Sequence, residues 1–364
     1  MSKLKELAEK YDGSGMLKLI MSMPEDWESA VSKYEGVEYP DRGAYVKPSN
    51  VVVLGMGGSA IGGDFVSNYL YDKLSVPFVV SRGFSPPPFV SKETLVIAVS
   101  YSGNTEETLR SLLNSIKRGA SVVLVTSNGL MEKLAEKKDL PLYRLPKGRP
   151  PRAAIPYMVA VILWILDRAS VYKFPREEAE KVVLTLRNVR EKLRREEERV
   201  LSIVKGIEKK IPLIYSYRPY SAVGFRFKTQ LNENAKIHAF YAELPEANHN
   251  EIVGWEGYVG DRYVVFFIRG REEPDYLRYR VEYWDTLLKS RGVPSHEIRG
   301  EGDSRLPEMT SLVFKVDLLS CALALLKGVD PTPIATISGL KKYVEDRVRF
   351  KRFFEERLGE ITSF

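Results

Sequence analysis

Three glycines and a serine follow a short run of β-branched residues near position 50. The run Val51–Leu54 indicates a buried strand, and the apolar residues beyond the glycines have helical spacing, so a strand, a tight turn and a helix are predicted. Gly57 and Gly58 can take positive φ and present bare backbone N–H groups, while Ser59 stands where an N-cap hydroxyl belongs. This turn is therefore predicted to bind an anion.

A second turn of similar character follows the apolar stretch Thr94–Val99. Three hydroxyl residues stand there within six positions: Ser100, Ser102 and Thr105. Asn104 and Glu107 have the spacing of a capping box, which predicts that the next helix begins here. Hydroxyls and amides without lysine suit a terminal phosphate group, which a closed cup of neutral donors can surround.

The glycine turn also fits a dinucleotide-binding fingerprint, G-x-G-x-x-A, from Gly55 to Ala60. Such sites carry an acidic side chain about 20 residues further on, which binds a ribose hydroxyl. The next predicted strand ends instead in Ser81 and Arg82, and Arg82 could serve a 2′-phosphate. A cofactor site and a merely structural turn both remain open at this point.

Two residues in the second half of the chain could move protons. Glu233 lies between two asparagines at the end of an apolar-striped segment, which suggests a polar pocket, although an ordinary exposed glutamate would also fit. His249 lies in a polar loop, and a histidine of near-neutral pKa can protonate a sugar ring oxygen. The chain has only three histidines, and His238 is predicted to pack in an apolar strand.

Arg152 and a possible metal site complete the candidate residues. A cation is unfavourable at the positive end of a helix, so Arg152 at the start of an apolar helix indicates a nearby negative charge, either a ligand or a surface carboxylate. A metal site would have to be built from dispersed residues: Glu233, His238, Glu246 and His249. Their spacing matches no compact ligand motif, so no metal is predicted.

The elements that must position these residues alternate in the rhythm of parallel α/β folds. In the first half, the predicted strands are 51–54, 77–80, 94–99 and 121–125, and the predicted helices are 59–72, 104–117 and 130–138. In the second half, the strands are 212–216, 237–241, 262–267 and 294–297, and the helices are 220–234, 275–290 and 307–327. Ligands of such sheets bind at the carboxyl ends of the strands. The second half repeats the architecture without the glycine turn.

This pattern predicts two α/β domains, each a parallel sheet between helices. The expected limits are an N-terminal helical segment at 1–35, a phosphate-binding domain at 36–172, a linker helix at 173–210, a second domain at 211–330 and C-terminal helices at 331–364.

Composition favours a cytoplasmic globular protein of 364 residues, 44% of them hydrophobic. The single Cys321 excludes an internal disulfide, and we expect no leader before the charged N-terminus. Lysines and arginines stand among glutamates, so the net charge of +7 indicates solvated helix faces and no nucleic acid. The apolar stretch Ala153–Leu166 is too short to span a membrane and is predicted to be a buried helix.

The two turns together resemble the sugar isomerase (SIS) fold, and more narrowly the archaeal and bacterial bifunctional phosphoglucose/phosphomannose isomerases. Three further stretches resemble that family's motifs: 150–157 (PPRAAIPY), 232–236 (NENAK) and 245–251 (PEANHNE). The five motifs span most of the chain between residues 50 and 341.

The resemblance implies a cofactor-independent aldose–ketose isomerase of hexose 6-phosphates that works through a cis-enediol intermediate. It assigns Glu233 as the base, His249 and Lys341 to ring opening, and Arg152 to stabilisation of the enediolate. It also implies a homodimer in which the His249 loop reaches into the neighbouring subunit. Two alternatives stay open: a non-catalytic sugar-phosphate regulator, for which no DNA-binding helix pair is evident, and an isomerase of another sugar phosphate.

Overall fold

The structure, a computed structural model, describes residues 2–35, 48–258 and 260–358. The chain divides into two compact units, each built from two separate stretches. We call Asp26–Pro175 with Ile334–Phe364 the glycine-turn unit, and Met1–Glu25 with Arg176–Pro333 the histidine-loop unit.

The described residues form the following elements, numbered in chain order. The strands are β1 (Asn50–Leu54), β2 (Phe78–Ser81), β3 (Thr94–Val99), β4 (Ser121–Thr126), β5 (Leu142–Arg144), β6 (Ile211–Ser216), β7 (Phe240–Glu243), β8 (Tyr263–Arg269) and β9 (Ser295–Arg299). The helices are α1 (Ser2–Tyr11), α2 (Met16–Met21), α3 (Met23–Glu35), α4 (Gly58–Tyr69), α5 (Glu106–Lys117), α6 (Gly129–Lys138), α7 (Ile155–Arg168), α8 (Arg176–Arg195), α9 (Glu197–Ile207), α10 (Ser221–Glu233), α11 (Asp275–Ser290), α12 (Arg305–Leu326), α13 (Ala335–Val348) and α14 (Phe350–Leu358). Three 3-10 helices cover Pro151–Ala154, Glu246–His249 and Glu251–Trp255.

The glycine-turn unit contains a five-stranded parallel sheet in the order β2-β1-β3-β4-β5. Its central strands are runs of β-branched residues that are buried on both faces, as a parallel sheet between helices requires. Val52 of β1 pairs with Val79 on one side and Val96 on the other. The predicted apolar helix is also confirmed, because α7 is buried over almost its whole length.

Helix α14 completes the core of the glycine-turn unit. Phe350, Phe354 and Leu358 of α14 are buried in one hydrophobic cluster with Val52 and Leu134. A salt bridge of 2.7 Å between Lys133 on α6 and Glu355 on α14 supports this packing. Strand β1 and the last helix therefore share one core.

The histidine-loop unit contains a four-stranded parallel sheet in the order β7-β6-β8-β9. Together the two sheets confirm the predicted α/β class. The prediction for His238 is wrong: strand β7 begins only at Phe240, and His238 is exposed in the preceding connection. Lys236, at φ 55°, has the left-handed conformation that ends a helix. The chain therefore needs the residues after Lys236, including His238, to return from α10 to the sheet.

Helix α12 forms the centre of the histidine-loop unit. Within the described ranges it is the one helix whose length and apolarity would suit a membrane span, yet 89% of its apolar window is buried inside the protein. It packs against α8, α9 and α10, as a core helix does.

The stretch 173–210, expected as one linker helix, contains two helices, α8 and α9. Both pack on α12 within the histidine-loop unit. The compact units also divide the first 35 residues, since Glu25 and Asp26 fall on either side of a boundary.

A buried ion pair joins α10 to α12. Arg226 donates from Nε and Nη2 to the two carboxylate oxygens of Asp317, at 2.8 and 2.7 Å, and Gln230 donates to the same carboxylate at 2.8 Å. Each side chain of the ion pair is only 2% exposed. Removal of one partner would leave a buried charge without compensation.

We therefore expect Asp317→Asn to lower the free energy of unfolding by about 3–5 kcal/mol, measured as a shift of the urea midpoint. The matched control is Glu180→Gln, which breaks the exposed pair between Arg176 and Glu180. That change should stay within about 0.5 kcal/mol. Equal effects of the two variants would contradict a special role for the buried pair.

Candidate active site

The glycine turn connects β1 to α4. Gly57 is the N-cap residue, with φ 52°, so the expectation that Ser59 caps the helix is wrong: Ser59 lies inside the first turn. Its Oγ instead accepts a hydrogen bond of 3.2 Å from the backbone N–H of Tyr101. This bond connects the glycine turn to the turn after β3, which contains Ser100, Ser102 and Thr105 and is called the hydroxyl turn. A Cβ on Gly57 would meet no atom within 4 Å, so the turn has open space on that side.

The hydroxyl turn connects β3 to α5. Ser100 Oγ donates to Thr105 Oγ1 at 3.0 Å, and Ser102 Oγ accepts from the Asn104 N–H at 3.3 Å. The N-cap residue of α5 is Thr105, so the predicted capping box from Asn104 does not form. The Asn104 amide oxygen accepts instead from the N–H of Leu130 at the start of α6. Sequence spacing could not anticipate this, because the partner comes from the next βα unit.

Gly103 explains how the hydroxyl turn can be so tight. Its φ is 65°, and a Cβ there would lie 1.7 Å from the carbonyl oxygen of Asn128. A side chain at this position would displace the neighbouring loop. The backbone that carries the three hydroxyl residues is thus in direct contact with the loop before α6.

Tyr101 and Asp26 support the turns, and neither was predicted from the sequence. The hydroxyl of Tyr101 donates to the carbonyl of Pro146 at 2.6 Å and accepts from the Arg149 N–H at 3.0 Å. The Arg149 guanidinium in turn makes two bonds of 2.6 Å to Asp26. Burial raises the pKa of Tyr101, so it stays a neutral donor. Tyr101 lies between two predicted site serines, whereas Asp26 carries no local signal.

Arg152 lies in the 3-10 helix that precedes α7, and its side chain is buried. A Cβ on Gly58 would approach the Arg152 backbone N to 3.2 Å. The first turn of α4 and the backbone of Arg152 are therefore in close contact. The structure thus brings together the two turns and Arg152 within the glycine-turn unit.

Arg82, which could have served a cofactor phosphate, is paired with a carboxylate. Its guanidinium donates two hydrogen bonds to Asp64 on α4, one of them of 3.2 Å and the other shorter. Burial raises the pKa of Asp64, and the hydrogen bonds from Arg82 oppose this shift. Arg82 therefore has a structural ion partner within its own unit.

Glu233 is the last residue of α10 and is partly exposed. Its motif neighbours fix the helix end: Asn232 donates to the Ile237 carbonyl at 2.9 Å, and Asn234 donates to Ser320 at 3.0 Å. Lys236 donates to the Glu233 carbonyl and, at 3.0 Å, to that of Pro331. The asparagines and the lysine thus have structural partners around the glutamate.

His249 and Lys341 are exposed side chains in different units. His249 ends the 3-10 helix after β7 and lies in the histidine-loop unit, which also contains Glu233. Lys341 lies on α13 in the glycine-turn unit, and neither it nor any other residue of α13 is buried. Across the described ranges, no group of three His, Cys, Asp or Glu side chains is arranged to hold a metal ion.

Comparison with known proteins places this geometry in a class. Residues 44–155 match the SIS domain, and residues 196–344 match the bacterial phospho-glucose isomerase C-terminal SIS domain. A hypothetical protein of Thermus thermophilus has the same fold, with a TM-score of 0.75, 18% identity and coverage of 95% of this chain and 93% of the other. The protein is therefore a two-domain SIS protein.

Similarity to curated relatives identifies the family within the SIS proteins. The chain is 33% identical to the bifunctional phosphoglucose/phosphomannose isomerase of Aquifex aeolicus, over 88% of this chain and 98% of the relative. It belongs to the family of bifunctional phosphoglucose/phosphomannose isomerases. It is also 32% identical to a D-glucosamine-6-phosphate 4-epimerase of Sulfolobus acidocaldarius, over 67% of this chain and 74% of that protein.

Proposed function

We propose that the protein is an aldose–ketose isomerase that interconverts fructose 6-phosphate with glucose 6-phosphate and mannose 6-phosphate. The observation that carries this proposal is the joined pair of turns, in which neutral donors and open space lie beside the buried Arg152. Such a turn suits a phosphate monoester, and the family membership supports a hexose as the rest of the substrate.

We expect the enzyme in the cytoplasm, which fractionation of cells that express it would check.

In this proposal each candidate residue has one task. The substrate phosphate is bound by Gly57, Gly58, Ser59, Ser100, Ser102 and Thr105. His249, with Lys341, opens the sugar ring. Glu233 moves the proton between carbon 1 and carbon 2, and Arg152 stabilises the enediolate charge, which develops only along the reaction. No step requires a metal or a nucleotide.

One base can serve both aldoses. Glucose and mannose 6-phosphate differ only at carbon 2, and deprotonation there makes that carbon planar, so both sugars lead to a common enediol. Rotation about the bond between carbon 2 and carbon 3 would present either face of the enediol to Glu233. The proposal therefore needs one carboxylate for two activities.

The similarity to the 4-epimerase supports a second candidate, a reaction at carbon 4 of an amino sugar phosphate. A coupled assay with fructose, glucose and mannose 6-phosphates, with and without a chelator, tests the isomerase. Proton NMR of glucosamine 6-phosphate with the same enzyme tests the epimerase. Turnover of the amino sugar alone would overturn the isomerase proposal.

Glu233→Gln keeps the size and hydrogen bonding of the side chain but removes the base. We expect turnover of glucose and mannose 6-phosphate to fall by a similar factor, on the order of 10²–10⁴, while a phosphorylated inhibitor still binds. Glu282→Gln, which changes an exposed glutamate on α11, should leave both rates unchanged. Loss of one activity alone would mean that the two reactions use separate catalytic groups.

The double variant Ser100→Ala/Thr105→Ala removes two proposed phosphate donors. Each lost hydrogen bond contributes about 0.5–1.5 kcal/mol, so competitive inhibition by inorganic phosphate should weaken roughly 5- to 150-fold. Thr286→Ala is the control, because Thr286 is exposed and its hydroxyl donates to the Glu282 carbonyl of its own helix. Unchanged phosphate inhibition in the double variant would show that these turns do not hold the phosphate.

We further propose a homodimer in which the partner supplies the His249 loop. An apolar stripe on α13 supports an association surface: Ile337, Leu340 and Val348 are exposed, and Val344 between them is half-buried. These residues recur at helical spacing on one side of the helix. His249 is itself exposed, as a residue that acts on a neighbouring subunit must be.

Subunit complementation tests the shared site. Glu233→Gln and His249→Gln variants, each nearly inactive alone, are co-expressed in one cell. If the loop crosses between subunits, about one quarter of sites become intact, since half of random dimers are mixed and one site in each has both native residues. If no activity returns although the mixed dimer is isolated by two affinity tags, His249 acts within its own chain.

A further inference from the structure

The His249 loop has few apolar anchors of its own. It consists of residues 245–256 and contains two short 3-10 helices, and most of its side chains are exposed. Only Ala247 and Trp255 are buried within it. Short 3-10 turns have weaker hydrogen-bond geometry than α-helices, so something else must keep His249 in one place.

One set of contacts lies inside the loop. The Asn250 side-chain oxygen accepts from the N–H of Glu251 at 2.6 Å, and its amide nitrogen donates to Glu246 at 2.8 Å. Asn250 thus joins the two 3-10 helices on either side of it, directly after His249. These contacts fix the shape of the loop but do not attach it to the domain.

Apolar packing of the second 3-10 helix is limited to one side. Trp255 packs edge-on against Tyr258 and Tyr263, with ring centroids 5.6 and 5.7 Å apart. An open pocket of about 290 Å³ lies beside the helix and is lined by these three residues and by Leu213, Phe240, Glu251 and Gly254. On the pocket side the helix has fewer packed neighbours, so dispersion contacts contribute less there. A polar attachment would therefore have a large effect on its position.

Tyr215 supplies such an attachment from the sheet. Its hydroxyl donates to the Glu251 carboxylate at 2.6 Å, a short charge-assisted hydrogen bond. The ring is 1% exposed and lies against Trp284 and Phe267, with centroids 4.5 and 5.8 Å away. Burial and the nearby carboxylate raise the pKa of Tyr215, so the hydroxyl keeps its proton.

The strand that carries Tyr215 is itself rigid. β6 lies inside the sheet, where Tyr215 pairs with Ala242 of β7 on one side and Phe267 of β8 on the other. The donor therefore has a fixed position, whereas the acceptor belongs to a loop. Glu251, whose carboxylate is the acceptor, follows His249 by two residues in the chain.

We propose that Tyr215 and Glu251 form a latch that positions His249 for catalysis, an inference that rests on the proposed function of His249. Tyr215 is a positioning residue: its hydroxyl acts on the reaction only through Glu251 and the loop. The latch should affect the rate of turnover more than the binding of the substrate phosphate, which is assigned to other residues.

Tyr215→Phe removes the hydroxyl and keeps the buried ring. We expect kcat to fall on the order of 10-fold, with KM and phosphate inhibition nearly unchanged, because a small displacement of a catalytic group slows turnover. Tyr217→Phe is the matched control, since the Tyr217 hydroxyl donates to Glu273 at 2.9 Å in the same unit. Equal losses of kcat in both variants would mean a general effect on stability and would overturn the latch.

A mutant cycle tests the pair directly. Glu251→Gln keeps an acceptor oxygen and should stay close to wild-type kcat, while Glu251→Ala should match Tyr215→Phe. The double variant Tyr215→Phe/Glu251→Ala should be no slower than either single variant, because both break one interaction. Multiplied losses would show that the two residues act independently and would refute the latch.

His249→Gln separates the two proposals. If it lowers kcat while Tyr215→Phe does not, the latch is wrong and the role of His249 stands. If His249→Gln leaves kcat unchanged, the proposed role of His249 fails. Amide hydrogen exchange over 246–256 then decides the latch alone: faster exchange in Tyr215→Phe than in Tyr217→Phe supports it, and equal exchange overturns it.

Discussion

The glycine-turn unit depends on backbone segments that meet without side chains between them. A Cβ on Gly55 would lie 3.2 Å from the carbonyl oxygen of Val99, and one on Gly58 would lie 3.2 Å from the backbone nitrogen of Arg152. The turn after β1 therefore packs directly on the end of β3 and on the segment before α7. The positions of the hydroxyl groups and of Arg152 follow from this contact, because each is attached to one of the touching backbones.

The histidine-loop unit has a similar sheet but fills the corresponding edge with its own side chains. The ring of Tyr220 occupies the space beside Gly270, and its hydroxyl donates to the Glu308 carboxylate at 2.7 Å. The backbone N–H of Arg271 donates to the same carboxylate at 2.7 Å. Burial raises the pKa of Glu308. The buried Glu308 carboxylate thus accepts hydrogen bonds from donors that a bound anion would otherwise use. This filled edge is what the histidine-loop unit has in place of an open glycine turn.

The sequence predicted what depends on local pattern. Runs of β-branched residues between amphipathic helices indicated both sheets, because period and composition determine which residues are buried. It failed where a partner is distant in the chain. Ser59 has the residue type of an N-cap, but its partner is the backbone of Tyr101. Asp26 binds Arg149 in the loop before Arg152, and nothing in the sequence around Asp26 indicates this distant partner. Residue type and local surroundings marked Glu233 and His249 as possible proton-transfer groups, but their specific catalytic roles, and the choice of Lys341, came from the family motifs.

The position of α14 has a consequence for how the protein is made. A ribosome releases residues in order, so the histidine-loop unit, whose last residue is Pro333, is complete in the chain before Phe350, Phe354 and Leu358 emerge. The glycine-turn unit begins at residue 26, but α14, which is part of its core, emerges only after the histidine-loop unit. The unit that occupies most of the first half of the chain thus completes its core after the histidine-loop unit, and the part of its apolar cluster that α14 covers stays exposed to solvent and to chaperones until residues 350–358 emerge.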